Sequence, residues 1–286
     1  MTVEHPQEKA ERPQKWGVLA SGSFDDLRFP QMRFLEEASK LGRLHVALWD
    51  DAAAEMVTGM PPKFSLAERR YMLESVRYVD CVTVLAGPLE PDVLPSVPGL
   101  RPVFWAVQAQ DDTAAKRVIA RDLGLQYRVF DESDLAGFPT TPAGVIVNPG
   151  HKRVIVTGCY DWLHSGHVRF YEEVSQLGDL YVVVGHDANV RMLKGEGHPF
   201  FPQDLRRYMA GSIRFVTQAL ISSGMGWLDA EPEIARIRPH IYAVNEDGDK
   251  PEKRAFCEAH DIEYVVLRRA PKEGLPRRAS TELRGY

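Results

Sequence analysis

Cysteine is scarce in this chain of 286 residues: Cys81, Cys159 and Cys257 are all there is, and no two form a C-x-x-C pair. An odd, scattered set excludes a disulfide framework and fits a reducing, cytoplasmic setting. Long apolar runs are missing too. None approaches the length of a membrane span, and Met1 to Lys15 is too polar for a signal peptide. There is no surplus of positive charge either. The formal net charge is −5, which leaves no electrostatic footprint for nucleic acid. What remains is the composition of an ordinary soluble globular protein, 44% hydrophobic and 26% charged, long enough for one large or two modest cores. The first fifteen residues, with two prolines and alternating charges, are expected to form a loose tail.

An internal repeat organises the rest. Residues 16–34, WGVLASGSFDDLRFPQMRF, run parallel to 152–170, KRVIVTGCYDWLHSGHVRF, at a constant shift of 136 that pairs Gly22 with Gly158 and Asp25 with Asp161. After one extra residue near Gly197 the shift becomes 137, pairing Arg69 with Arg206 and Met72 with Met209. Each copy reads as strands alternating with helices, which predicts a doubly wound α/β fold with a parallel sheet. In the second copy, strands are expected near 153–157, 180–185, 217–221, 240–244 and 263–267, and helices near 166–177, 203–214 and 250–260. The boundary falls in the Pro-, Gly- and Thr-rich stretch Phe138 to Lys152. The expected organisation is a tail at 1–15, a first domain at 16–141, a linker at 142–152 and a second domain at 153–286.

Chemistry concentrates in Arg153 to Tyr171, RVIVTGCYDWLHSGHVRFY. A β-branched strand ends at Gly158, and a helix with Val168, Phe170 and Tyr171 at helical spacing starts near Gly166. Between them lie His164 and His167, flanking that glycine. A helix N-terminus presents unpaired N–H groups and a positive dipole end, which favour phosphate. Imidazoles beside it can donate hydrogen bonds to phosphate oxygens as charge builds on them. Cys159, in the same loop, is a candidate nucleophile on paper. Its size gives the better reading, because a small residue after Gly158 lets the backbone approach phosphate.

The run GCYDWLHSGHVRF resembles the HxGH signature of the cytidylyltransferases, within the wider HxGH/TxGH nucleotidyltransferase group. The strand, Gly158, the pair Tyr160-Asp161, Leu163 and the amphipathic helix all stand where that family has them. The resemblance implies in-line attack of a substrate phosphate oxygen on the α-phosphorus of a nucleoside triphosphate, with pyrophosphate released. His164 and His167 would bind triphosphate oxygens. Lys194 matches the family's lysine after the second strand, although a Lys-Gly pair is also how a helix ends. Arg206 matches a phosphate-binding arginine whose guanidinium can grip phosphate bidentately.

The closing segment, Arg277-Arg278-Ala279-Ser280-Thr281, resembles the family's final motif, in which Ser280 and Thr281 start a helix at the triphosphate. Either Arg269 or the Arg277/Arg278 pair supplies its arginine. Asn245 and Asp247 follow the fourth strand, where related members carry an acidic loop near the nucleotide. Gly158, Cys159, Tyr160, Asp161 and Gly166 complete the expected nucleotide contacts. Magnesium is expected to arrive with the nucleotide, since no residue cluster suggests a dedicated protein metal site.

The first copy departs where the chemistry should be. Arg28, Pro30 and Gln31 stand in place of His164, Gly166 and His167; Thr58 replaces Lys194, and Thr140-Thr141 replace Arg277-Arg278. The expectation is a silent first copy packed on a catalytic second copy as an intramolecular pseudo-dimer, with pairing of whole chains as a further possibility. The implied reaction joins CTP to a phosphorylated small alcohol such as ethanolamine phosphate, glycerol 3-phosphate or another polyol phosphate. An ATP-dependent adenylyltransferase and a nucleotide-binding regulator are the alternatives. Nucleic acid and membrane insertion are not expected.

Overall fold

Valine, isoleucine and leucine fill the central strands so completely that only a sheet covered on both faces can hold them. The computed structural model describes residues 17–142, 144–280 and 283, so the expected tail at 1–15 and Thr281 lie outside the described residues. In β1 (Gly17–Gly22), Val18, Leu19 and Ala20 are fully buried, as are Val154, Ile155 and Val156 in β6 (Arg153–Gly158). Around β1 run β2 (Arg43–Trp49), β3 (Cys81–Leu85), β4 (Phe104–Gln108) and β5 (Gln126–Phe130), all parallel, in the order β3-β2-β1-β4-β5. Around β6 run β7 (Asp179–Val184), β8 (Val216–Ile221), β9 (Ile241–Asn245) and β10 (Glu263–Leu267), in the order β10-β9-β6-β7-β8. Read from the opposite edge, the second order is the first. The fold is thus two tandem doubly wound α/β lobes.

Helices join the strands: α1 (Phe29–Ser39), α2 (Asp51–Thr58), α3 (Leu66–Glu74) and α4 (Ala114–Asp122) in the first lobe, then α5 (Ser165–Val174), α6 (Asp187–Lys194), α7 (Gln203–Gly211), α8 (Glu231–Ile237) and α9 (Pro251–Ala259) in the second. Helices α6 and α8 were absent from the reading of the sequence. With eight and seven residues respectively, they are too short for a 3.6-residue period to stand out. Among the described residues no helix is long and apolar enough to cross a membrane.

The lobes pack through a pseudo-two-fold axis, and the repeat numbering makes the symmetry checkable. Arg77 N–H donates to the Ser212 carbonyl at 3.0 Å, and its mate Arg214 N–H donates to the Ser75 carbonyl at 2.9 Å. The Arg77 guanidinium reaches the carbonyls of Ile213 and Val216, while that of Arg214 reaches those of Val76 and Val79. Tyr71 donates to Glu172 at 2.8 Å, and Tyr208 donates to Glu36 at 2.7 Å. Each of these contacts has a partner displaced by 136 or 137 residues, the signature of an isologous interface. One apolar core continues across it, with Met72, Val76 and Val79 in the same cluster as Tyr208, Met209 and Ile213. The expected pseudo-dimer is present.

Candidate active site

Strand order reverses between β6 and β9, and in open α/β sheets ligands bind at such a switch point, beyond the carboxyl ends of the strands. There the second lobe has a cleft of about 260 Å³, lined by Thr157, His164, His167, Asn245, Asp247 and Arg269 among others. A basic hollow adjoins it, bounded by Gly166, Arg268, Arg269, Arg277 and Arg278.

The loop from β6 to α5 has a fixed shape. Tyr160 sits in the left-handed region at φ +50°, and its ring lies so close to Gly158 that a Cβ there would come within 2.9 Å. Asp161 pins the loop by accepting the N–H groups of Phe200 and Phe201 at 2.8–2.9 Å. The first lobe repeats the device, with Phe24 at φ +43° and Asp25 accepting from Lys63 and Phe64. Gly158, Tyr160 and Asp161 therefore serve loop shape, and so does the Cys159 carbonyl, which accepts from Arg206 at 2.6 Å. Burial first of all raises the Cys159 thiol pKa, leaving it protonated at neutral pH.

Arg206 corrects the sequence reading. Its guanidinium is almost fully buried and donates to the carbonyls of Phe201, Cys159 and Gly185 and to the Asp187 carboxylate, at 2.6–2.8 Å. All three nitrogens are committed, so the bidentate grip on phosphate is not available in this conformation. Arg69 does the same in the first lobe with Phe64, Ser23, Trp49 and Asp51. Each arginine clasps the ends of two neighbouring strands to the loop that precedes its own helix.

The histidines are different. His164 caps α5, its Nδ1 accepting the Gly166 N–H at 3.1 Å. That bond assigns the ring proton to Nε2, which is buried without a partner. His167 stacks on it, ring centroids 4.0 Å apart, and its Nδ1 is likewise buried and unpartnered. The edge of Tyr160 closes the far side at 5.3 Å from the His167 ring. Gly166 makes room for this arrangement, since a Cβ there would fall 2.9 Å from the His164 ring. Burial pushes the His167 pKa down to about 4, with the Arg269 charge adding to it and the Trp162 backbone opposing. His164 is held lower still, by burial and then by His167 and Arg269. Both rings are neutral at physiological pH.

The remaining candidates spread around this pair. Lys194 ends α6, exposed, with Gly195 capping the helix at φ +86°. It stands outside the cleft lining, yet its charge bears on Cys159 and His167. Asn245 ends β9 in the cleft wall, and Asp247 pairs with Arg269 at 2.5 Å. Arg269 also donates to the Arg278 carbonyl at 3.1 Å, which ties the two candidate arginines to each other. Ser280 donates to the Trp162 carbonyl at 3.3 Å, joining the closing segment to the histidine loop.

One participant was missed entirely. Glu68, from α3 of the first lobe, is 2% exposed and accepts from Ser165 Oγ at 2.6 Å and from Arg278 Nη2 at 2.7 Å. Nothing local in the sequence marks it. Its only signal is that the repeat places leucine, Leu205, at its mate.

Among the described residues no group of three or more His, Cys, Asp and Glu side chains converges as a metal site. Among the described residues Asp247 is the one carboxylate lining the cleft, and it is paired with Arg269.

Known proteins resemble the second lobe. Residues 155–266 match the cytidylyltransferase-like family. An FAD synthase of Aciduliprofundum boonei is 35% identical over 119 residues, covering 41% of this chain and 76% of that protein. An FAD synthase of Methanospirillum hungatei is 31% identical over 134 residues, covering 46% of this chain and 82% of that protein. A bifunctional protein HldE of Methylococcus capsulatus is 38% identical over 99 residues, but the match spans only 20% of its length. With the match lying on the lobe that carries the histidine pair, the chain belongs to the cytidylyltransferase-like family.

Proposed function

We propose that the second lobe transfers CMP from CTP to the phosphate of a small phosphorylated alcohol and releases pyrophosphate. The carrying observation is the stacked, neutral pair His164 and His167, each with a buried ring nitrogen unpartnered, at the N-terminus of α5. Buried polar atoms are nearly always paired, so two such atoms side by side at a helix N-terminus fit an anionic ligand.

An acceptor phosphate oxygen attacks the α-phosphorus; the new P–O bond forms as the bond to the bridging oxygen breaks, and pyrophosphate leaves with that electron pair. His164 Nε2–H donates to a phosphate oxygen, strengthening as charge accumulates; a donor of this kind contributes about 3 kcal/mol to the transition state. His167 lies beside it for the neighbouring oxygen, and the N–H groups of α5 add the helix dipole. Neutral rings suit the task, because they donate without holding the product's charge. Arg269, Arg278 and Lys194 supply positive charge for the triphosphate around the cleft, while Asn245 and Asp247 face the nucleoside. Ser280 closes the site from the side of Trp162. Magnesium, carried in on the triphosphate, would neutralise the leaving group.

In this reading residues 153–286 form the catalytic domain, 142–152 the linker and 16–141 a silent copy, since Arg28 and Gln31 replace the histidines. Ethanolamine phosphate, glycerol 3-phosphate or a related polyol phosphate is the acceptor. A second reading keeps the mechanism and uses ATP; the similarity to proteins named FAD synthases favours it.

The test is pyrophosphate release with each of CTP, ATP, GTP and UTP against a panel of phosphorylated alcohols. Turnover with CTP, lost in His167→Asn, supports the first reading, and turnover with ATP supports the second. Nucleotide binding without release under any pairing would overturn both in favour of a regulator.

A further inference from the structure

The pseudo-two-fold axis makes the two sides of the lobe interface comparable residue by residue, and they differ at one buried carboxylate. On the side facing His164, Glu68 joins Phe24, Phe64, Arg69 and Met72 against Leu163 and Ser165, leaving a hollow of only about 30 Å³. On the mirrored side, Leu205 joins Tyr160, Phe201, Arg206 and Met209 against Arg28 and Pro30, around a cavity of about 320 Å³. Glutamate thus faces the intact histidine loop and leucine faces its degenerate counterpart. A buried carboxylate costs free energy unless it is paired and hydrogen-bonded. Here both conditions are met, and both partners belong to the other lobe.

Those partners lead to the cleft. Glu68 accepts from Arg278 Nε at 3.1 Å and Nη2 at 2.7 Å, a fork geometry that fixes the guanidinium plane. The same carboxylate accepts from Ser165, the first residue of α5 after the His164 cap. The Arg278 carbonyl holds Arg269 at 3.1 Å, and Arg269 pairs with Asp247 in the cleft wall. A continuous hydrogen-bonded path therefore runs from a helix of the first lobe to the lip above the histidines.

We propose that Glu68 is a positioning residue of the nucleotide site: it anchors the segment 277–280 across the start of α5 and thereby sets Arg269 and Arg278 at the lip of the cleft. The lobe without histidines is then part of the active site and not only a packing partner. The kinetic part of this inference rests on the function proposed above; the anchoring does not.

Two variants test it, Glu68→Leu, which installs the side chain the mirrored position already carries, and Glu68→Gln, which keeps the shape and a hydrogen bond to Ser165. Each is compared with Arg278→Ala and with the double variants, in steady-state kinetics and limited trypsin digestion followed by mass spectrometry. The expected result for Glu68→Leu is a KM for the nucleoside triphosphate raised about tenfold, the scale of one lost charge-assisted hydrogen bond, with kcat within about threefold. Glu68→Gln should fall between it and the wild type. Adding Arg278→Ala to either should bring no further rise, because residues acting through one another are not additive. Trypsin should cut after Arg277 and Arg278 faster in Glu68→Leu than in the wild type.

An unchanged KM in a folded variant, or a fully additive double variant, would overturn the positioning role. Equal cleavage rates would overturn the anchoring, a result readable even if the wild type releases no pyrophosphate and the functional reading itself fails. Should Glu68→Leu fail to fold, Glu68→Gln decides on both readouts.

Discussion

Two buried neutral histidines make this protein's stability depend on pH in a window where few other groups titrate. A free imidazole has a pKa of about 6.5, while His167 is pushed down to about 4 and His164 lower still, by burial above all. Between these values the unfolded chain binds protons that the folded chain refuses. Stability must then fall as pH is lowered through the unfolded value, by up to about 1.4 kcal/mol per pH unit for each such group. For His167 the loss from about pH 7 to about pH 5 comes to about 2 kcal/mol, and His164 adds a like amount.

Urea unfolding at these two pH values measures it, comparing the wild type with the double variant His164→Asn/His167→Asn. Asparagine at 164 keeps an N-cap acceptor for α5. Carboxylates interfere little. Burial would raise Glu37 and Glu172, but hydrogen bonds led by Lys40 and Lys272 outweigh it and hold both below the ordinary carboxylate range, so they titrate beneath the window. His45 is also lowered by burial, and being common to both proteins it cancels in the comparison. The wild type should lose about 4 kcal/mol more than the double variant between the two conditions. Equal losses in the two proteins would refute the assignment of neutral, buried imidazoles and the donor role built on it.

Other consequences follow from the same contacts. Arg206→Ala strands three carbonyls and the Asp187 carboxylate, and should cost about 3 kcal/mol or more in chemical denaturation, as should Arg69→Ala in the lobe without histidines; a fully stable Arg206→Ala with a raised nucleotide KM would restore the phosphate-gripping role. Arg77→Ala and Arg214→Ala each remove a guanidinium spanning two carbonyls across the axis, and should destabilise about equally, by about 2 kcal/mol; a severalfold difference between them would contradict the symmetry. Gly158→Ala forces the Tyr160 ring off His167, and should lower turnover more than it lowers the melting temperature. At neutral pH a maleimide should label exposed Cys81 well before Cys159, whose thiol burial keeps protonated.

How much of this was legible in the sequence depends on how local the signal was. The strands of the second lobe stood out because buried parallel strands are continuous apolar runs: Val154, Ile155 and Val156, all fully buried, lie where the residues alone put a strand. The histidine loop was legible for the same reason, since strand end, glycine and helix start lie within a few residues. The contacts of Arg206 were not legible because they depend on what surrounds it. An arginine on an amphipathic helix looks alike whether it meets phosphate or three carbonyls, and only the fold brings Phe201, Cys159 and Gly185 to one point. Asp161 belongs to the same class, as a conspicuous residue beside the motif whose carboxylate closes a turn 39 residues away. Glu68 was out of reach. Its partners Ser165 and Arg278 are 97 and 210 residues distant, and no periodicity spans that gap.

The repeat supplies a control that a single lobe would not. Side chains whose roles are mechanical recur in both copies at a shift of 136 or 137: Asp25 with Asp161, Arg69 with Arg206, Arg77 with Arg214, and an aromatic, Phe24 or Tyr160, in the same left-handed turn. Where the copies part, at 28, 30 and 31 against 164, 166 and 167, the second has two unpartnered imidazole nitrogens, whereas Arg28 is spent on Asp26 at 2.7 Å and on the face of Trp162 at 3.6 Å from the ring centre. In the first lobe the position matching the first histidine thus makes an interlobe contact with the loop that carries the histidine pair. The lack of histidines in the first copy therefore does not make it dispensable, and removing it should cost the second lobe its loop geometry as well as its packing face.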